Sequence, residues 1–130
     1  MEDKLFYKEL SYLLRGILFE VHNELGIFRN EKQYADCFEQ KLKERNVKYE
    51  REKVLPVSFK GERKGRNRID FLIDDKIIVE LKAVTCLAKD HYFQCQRYLV
   101  SLNVSLALLV NFRTKYLNIK RILNYTNYNP

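Results

Sequence analysis

Residues 68–83 read RIDFLIDDKIIVELKA, and the fold turns on this stretch. Two apolar runs, Arg68–Ile73 and Lys76–Ala83, flank the polar pair Asp74-Asp75, the pattern of two β-strands joined by a tight turn. Asp70 interrupts the first run, and Glu80 and Lys82 interrupt the second. Side chains alternate along a strand, so Glu80 and Lys82 share one face while Val79 and Leu81 take the other. Burying a carboxylate without a partner costs on the order of several kcal/mol or a large pKa shift, so three such groups on apolar strands need a reason.

Two reasons compete. Lys82 can neutralise Asp70 or Glu80 in a buried ion pair. Alternatively, the two carboxylates converge on a divalent cation while Lys82 holds negative charge on a phosphate. Strand register separates the geometries. A loop of Asp74-Asp75 alone sets Asp70 against Val79, on the face away from Glu80. An odd loop such as Asp74-Asp75-Lys76 sets Asp70 directly across from Glu80, and a metal site requires that loop or a bulge.

Outward from the hairpin, the period changes. Leu10, Leu14, Ile17, Val21 and Leu25 carry the helical spacing over Leu5–Leu25, with Gly26 placed to end it. Asn30 is a candidate cap for a second helix to about Asn46, with Tyr34, Phe38 and Leu42 as its apolar stripe. Short strands are expected at Val47–Tyr49 and Val54–Phe59, the latter an edge or interrupted strand because of Pro56. A third helix fits Lys89–Leu102, Ser105–Asn111 reads as a buried strand, and Tyr116–Arg121 as a last one. The order ααβββαββ predicts an α/β fold with a mixed sheet flanked by helices, a single domain over 1–130 with 1–4 and 124–130 frayed.

Composition narrows the class. The 130 residues hold 46% hydrophobic residues and four glycines, enough for a core and unlike a disordered chain. No apolar run of membrane-spanning length and no signal-peptide pattern is present, so a cytoplasmic protein without a membrane partner is expected. Cys37, Cys86 and Cys95 lack metal or disulfide spacing and read as free thiols. The net charge of +7 is concentrated: residues 41–68 hold eleven Lys or Arg against four Glu. Such a surface attracts polyanions, although solvated charge on a helix and hairpin is an equally ordinary explanation. P-loop and serine-hydrolase motifs are absent from the sequence.

The spacing D-x9-E-x-K at Asp70, Glu80 and Lys82 resembles the signature of PD-(D/E)XK nucleases. Its surroundings are similar to the GxxExxY family of that superfamily: Val21-His22, Leu25-Gly26, Glu31 and Tyr34, then RIDFL at 68–72 and IVELKAV at 78–84. His91, Gln94, Tyr98 and Leu99 follow, and then LLVNF at 108–112. One position departs, since Phe28 stands where the motif has glycine. The resemblance implies a restriction-endonuclease-like fold, Mg²⁺ or Mn²⁺ held by Asp70 and Glu80, and Lys82 as the catalytic lysine. It further implies Glu31 as an additional acidic residue and Gln94 as an orienting one. An exposed first-turn acid and a solvated glutamine are the plainer explanations of those two.

The expected activity is metal-dependent hydrolysis of nucleic-acid phosphodiesters, DNA before RNA through the resemblance alone. Lys60, Arg63, Lys64, Arg66 and Arg68 are the candidate nucleic-acid contacts. Small size leaves little surface for base readout, so a homodimer or protein partner is expected to supply it. Two other classes compete: a nucleic-acid-binding module without turnover, and a structural protein with an internal ion-pair network.

Overall fold

The computed structural model describes residues 7–127. Its elements are α1 (Lys8–Leu25), α2 (Glu31–Glu44), β1 (Tyr49–Val54), β2 (Arg68–Ile73), β3 (Ile77–Lys82), α3 (Lys89–Leu102), β4 (Leu106–Asn111) and β5 (Asn118–Leu123), the ααβββαββ order expected from sequence. The strands form one sheet in the order β1-β2-β3-β4-β5. Only β3 and β4 run parallel, and α3 is the crossover that a parallel pair requires. Among the described residues, no helix is long and apolar enough to cross a membrane.

The helices take opposite faces. On α1 and α2, Leu14, Ile17, Val21 and Phe38 pack with Phe71, Val79 and Leu108 of the sheet. On the other face, Cys95, Tyr98 and Leu99 of α3 pack with Leu72, Ile78 and Leu109. Central strands are thus covered on both sides, and all six residues of β4 are buried, which accounts for its unbroken apolar sequence.

Local signals set the element ends. Gly26 takes φ +74°, a left-handed conformation, and its N–H reaches back to His22 O. The Asn30 side chain accepts from Gln33 N–H while the Gln33 side chain accepts from Asn30 N–H, closing a capping box on α2. Between β2 and β3 lies the three-residue loop Asp74-Asp75-Lys76, with Ile73 paired to Ile77. Both aspartates there have positive φ, which their short side chains tolerate.

Three boundaries differ from expectation. The runs expected at 47–49 and 54–59 give one strand, Tyr49–Val54, bridging the interval between them. It stops before Pro56, which has no N–H to donate, and no strand forms over 55–67. The last strand lies two residues later than expected, at Asn118–Leu123, because Ile119 pairs with Val110 and Ile122 with Ala107. Of the segments expected to fray, 1–4 and 128–130 lie outside the described residues. Within the tail, Asn124 is buried and donates to Leu99 O and Val104 O, and Tyr125–Asn127 forms a 3₁₀ turn.

Candidate metal and catalytic site

The odd hairpin loop decides the site. Phe71 pairs with Val79, so the next step along the ladder sets Asp70 against Glu80. There, backbone pairing gives way to side chains: Asp70 N–H donates to the Glu80 carboxylate at 2.7 Å, and Leu81 N–H donates to the Asp70 carboxylate at 2.8 Å. The alternation of β2 slips at the same point. Ile69 joins Leu72 and Ile78 under α3, although strict alternation would set it with Phe71 and Ile73 under α1 and α2. Opposite on β1, Glu52 has φ +56°, an uncommon conformation for a residue with a Cβ. The end of the hairpin therefore opens around two carboxylates.

Electrostatics match that geometry. Glu80 is 3% exposed, and burial, then the Asp70 charge, push its pKa up to about 8. Burial also raises the pKa of half-buried Asp70, against the Leu81 N–H bond and the Lys82 charge, which lower it. Lys82 does not close an ion pair. Its Nζ donates to Gln94 Oε1 at 3.1 Å, and among the described residues no ion pair joins it to Asp70 or Glu80.

Glu31 reaches the same end of the sheet from the first turn of α2. Its Oε2 accepts from Ala83 N–H at 3.4 Å, and its charge raises the pKa of both Asp70 and Glu80. A cleft of about 170 Å³ is lined by Glu31, Arg51, Glu52, Asp70 and Leu81, among others. Glu52 carries no signal in the sequence, where it is one acid among the charges of an edge strand. Asp70, Glu80, Lys82, Gln94 and Glu31 thus lie together.

The motif residues around them form the frame. The Tyr34 hydroxyl donates to Gly26 O at 2.6 Å, and its ring stacks on Phe112 with centroids 4.3 Å apart. His22 Nε2 bonds Thr114 O at 3.0 Å. Together these tie the start of α2, and with it Glu31, to the end of β4 despite Phe28, which is exposed. Asn111 adds a clamp that nothing in its apolar run of sequence announces. Fully buried, it donates through Nδ2 to Val84 O at 2.8 Å and accepts from Val84 N–H at 3.1 Å. With the bond from Phe112 N–H to Lys82 O, it fixes the chain leaving Lys82.

The basic stretch divides in two. Lys41, Arg45, Lys48, Arg51 and Lys53 each make an ion pair with an acid. Arg68 lies 3.8 Å from Glu52. By contrast, Lys60, Arg63, Lys64 and Arg66 are exposed on the β1–β2 connection and make no ion pair among the described residues. Glu62 is committed to holding that loop, accepting from Ser58 N–H, Ser58 Oγ and Asn67 Nδ2, and its pKa is lowered first by the Ser58 N–H.

Hard cations such as Mg²⁺ take oxygen ligands, commonly one or two carboxylates with water completing the shell. Asp70 and Glu80 are a donor set of that kind, and among the described residues no lysine or arginine forms an ion pair with them. Among the described residues no group of three or more His, Cys, Asp and Glu forms an all-protein cage, which Mg²⁺ does not need.

A mixed sheet between helices, with two opposed carboxylates and a lysine at the end of one hairpin, defines a restriction-endonuclease-like α/β domain. The family model of the PD-(D/E)XK nuclease superfamily matches residues 8–122, and the chain belongs to that superfamily. No curated protein and no solved structure matches the chain.

Proposed function

We propose that this chain is a Mg²⁺- or Mn²⁺-dependent nuclease that hydrolyses nucleic-acid phosphodiesters, DNA before RNA, and a GxxExxY-type member of its superfamily. The observation that carries this reading is Asp70 set against Glu80, with Lys82 held beside them by Gln94 rather than spent in an ion pair. A bound divalent cation would supply a polarised water and charge screening at the phosphate. Asp70 and Glu80 would hold it, and its charge would favour their ionised forms over the protonated forms that burial favours.

The ammonium of Lys82 has three donors, of which Gln94 takes one. The remaining two are free to hold a non-bridging phosphate oxygen or the attacking water. Gln94 sets the reach of Lys82, and Glu31, at the rim, supports water on the open side of the carboxylates. One domain would carry both this site and the basic loop of Lys60, Arg63, Lys64 and Arg66, with Arg68 beside it. A second copy or a partner protein would add base readout. The free thiols Cys37, Cys86 and Cys95 support a reducing, cytoplasmic setting.

The exposed basic loop favours one second reading, a protein that holds nucleic acid without cutting it. One experiment separates them: Mn²⁺ titration by calorimetry together with cleavage of single-stranded and duplex DNA. Asp70→Ala and Glu80→Ala should each lose Mn²⁺ binding and fall to background cleavage while keeping the wild-type circular dichroism. Full cleavage by either variant would sink the nuclease reading, and wild-type DNA binding without any cleavage would favour the second.

A further inference from the structure

A cleft larger than the one at the carboxylates lies on the α3 face of the sheet. A groove of about 540 Å³ runs between the β1–β2 connection, the outer side of α3 and the 3₁₀ turn after β5. Its walls carry Phe59, Phe93 and Tyr125, which are 63%, 52% and 54% exposed. Leaving three aromatic faces in water is costly unless something covers them. Arg97 and Glu62 also line the groove, and the loop that supplies Phe59 carries Lys60, Arg63, Lys64 and Arg66, which make no ion pair among the described residues. The groove connects to the site through α3: Tyr98, which lines it, lies one helical turn from Gln94, the partner of Lys82.

We infer that this groove receives unpaired nucleotides flanking the scissile phosphate, so that the substrate is single-stranded or locally melted nucleic acid. The inference rests on the nuclease reading for the identity of the neighbouring site and on the groove itself for the substrate class. Aromatic faces bordered by arginine and lysine suit a strand whose bases are free to stack while its phosphates meet the cations. An intact duplex hides its base faces and would leave Phe59, Phe93 and Tyr125 uncovered. Charge complementarity points the same way: the loop that forms one wall carries four cations against Glu62 alone, an excess that calls for a polyanion, which an apolar protein segment is not.

The test is binding of labelled oligothymidylate, and of a blunt duplex of equal length, by fluorescence anisotropy with chelator present so that no cleavage intervenes. Phe59→Ala combined with Phe93→Ala should weaken oligothymidylate roughly tenfold or more, since each stacked base contributes substantially to single-strand affinity. Duplex binding should change by less than about twofold, because it rests on phosphate contacts. Phe93→Tyr, which keeps the ring, should bind as wild type does. Equal weakening on both probes, or none on oligothymidylate, overturns the inference. So does a wild-type dimer that the double variant converts to monomer with oligothymidylate binding unchanged, which would assign the patch to a second copy. Failures remain distinguishable. Ring-dependent oligothymidylate binding without cleavage in Mn²⁺ sinks the nuclease reading and keeps the groove, whereas duplex cleavage with oligothymidylate unbound does the reverse.

Discussion

Lys82 spends one hydrogen bond on Gln94 and none on the acids beside it, so its removal takes charge from the site without unpairing a buried carboxylate. Lys82→Ala should cut the single-turnover cleavage rate by ~10²–10³, the usual size for losing one charge-stabilising donor. Mn²⁺ affinity measured by calorimetry should be kept or tightened, because a nearby positive charge is removed. A Glu80 carboxyl raised to about 8 has a second consequence. In metal-free protein the folded state binds its proton more tightly than the unfolded chain does, so the stabilisation is present below the unfolded value of 4.5 and is lost as pH rises towards 8. Melting curves of wild type and Glu80→Gln at about pH 5.5 and about pH 8 should show wild type falling relative to the variant at the higher pH. Saturating Mn²⁺ should shrink that difference, since the ion favours the ionised form.

At the scale of elements, the strand that carries Lys82 is held by its neighbour. The parallel pairing of β3 with β4 ends at Lys82 and Asn111, and Asn111 then grips Val84 through both its donor and its acceptor. Asn111→Leu keeps the side chain's bulk and removes both bonds, leaving the Val84 N–H and C=O without their partner. Urea unfolding should show a loss of about 1–3 kcal/mol, the cost of stranding partly buried polar groups. The cleavage rate should fall with unchanged metal affinity, since Asp70 and Glu80 lie before this clamp. The residue type and its place in LLVNF were readable in the sequence. Its partner was not, because Val84 is 27 positions away and meets it only through the parallel crossover.

At the scale of the molecule, the charge of +7 is less uniform than its position in the chain implies. The helix and strand portion of the basic stretch is met by acids from α1, α2 and the β2–β3 loop, as in Lys41 with Glu24 and Lys48 with Asp75. Among the described residues what remains without an ion pair is Lys43 on α2 and the loop portion, beside the aromatic groove. Replacing Lys60, Arg63, Lys64 and Arg66 by Ala should flatten the dependence of log affinity on log salt, by about 0.7 for every phosphate of single-stranded DNA that is no longer neutralised. Replacing Lys41 and Arg45 should leave that slope unchanged. Anisotropy titrations at several salt concentrations measure both.

Local sequence determined the elements. Periodicity, the Asn30 cap, the Gly26 stop and the charged interruptions at Asp70, Glu80 and Lys82 are carried by neighbouring residues, so they were visible before any fold was known. Sequence also posed the question of loop parity, because a one-residue slip moves a whole strand to its other face. Tertiary structure answered it with the odd loop at 74–76, and it alone decided that Lys82 pairs with Gln94 rather than with an acid. It alone placed Glu52 beside Asp70, and left the aromatic groove open beside α3. The reason is physical: contacts between residues far apart in the chain depend on how helices and strands pack, and no local pattern encodes which of two charged neighbours a side chain will meet.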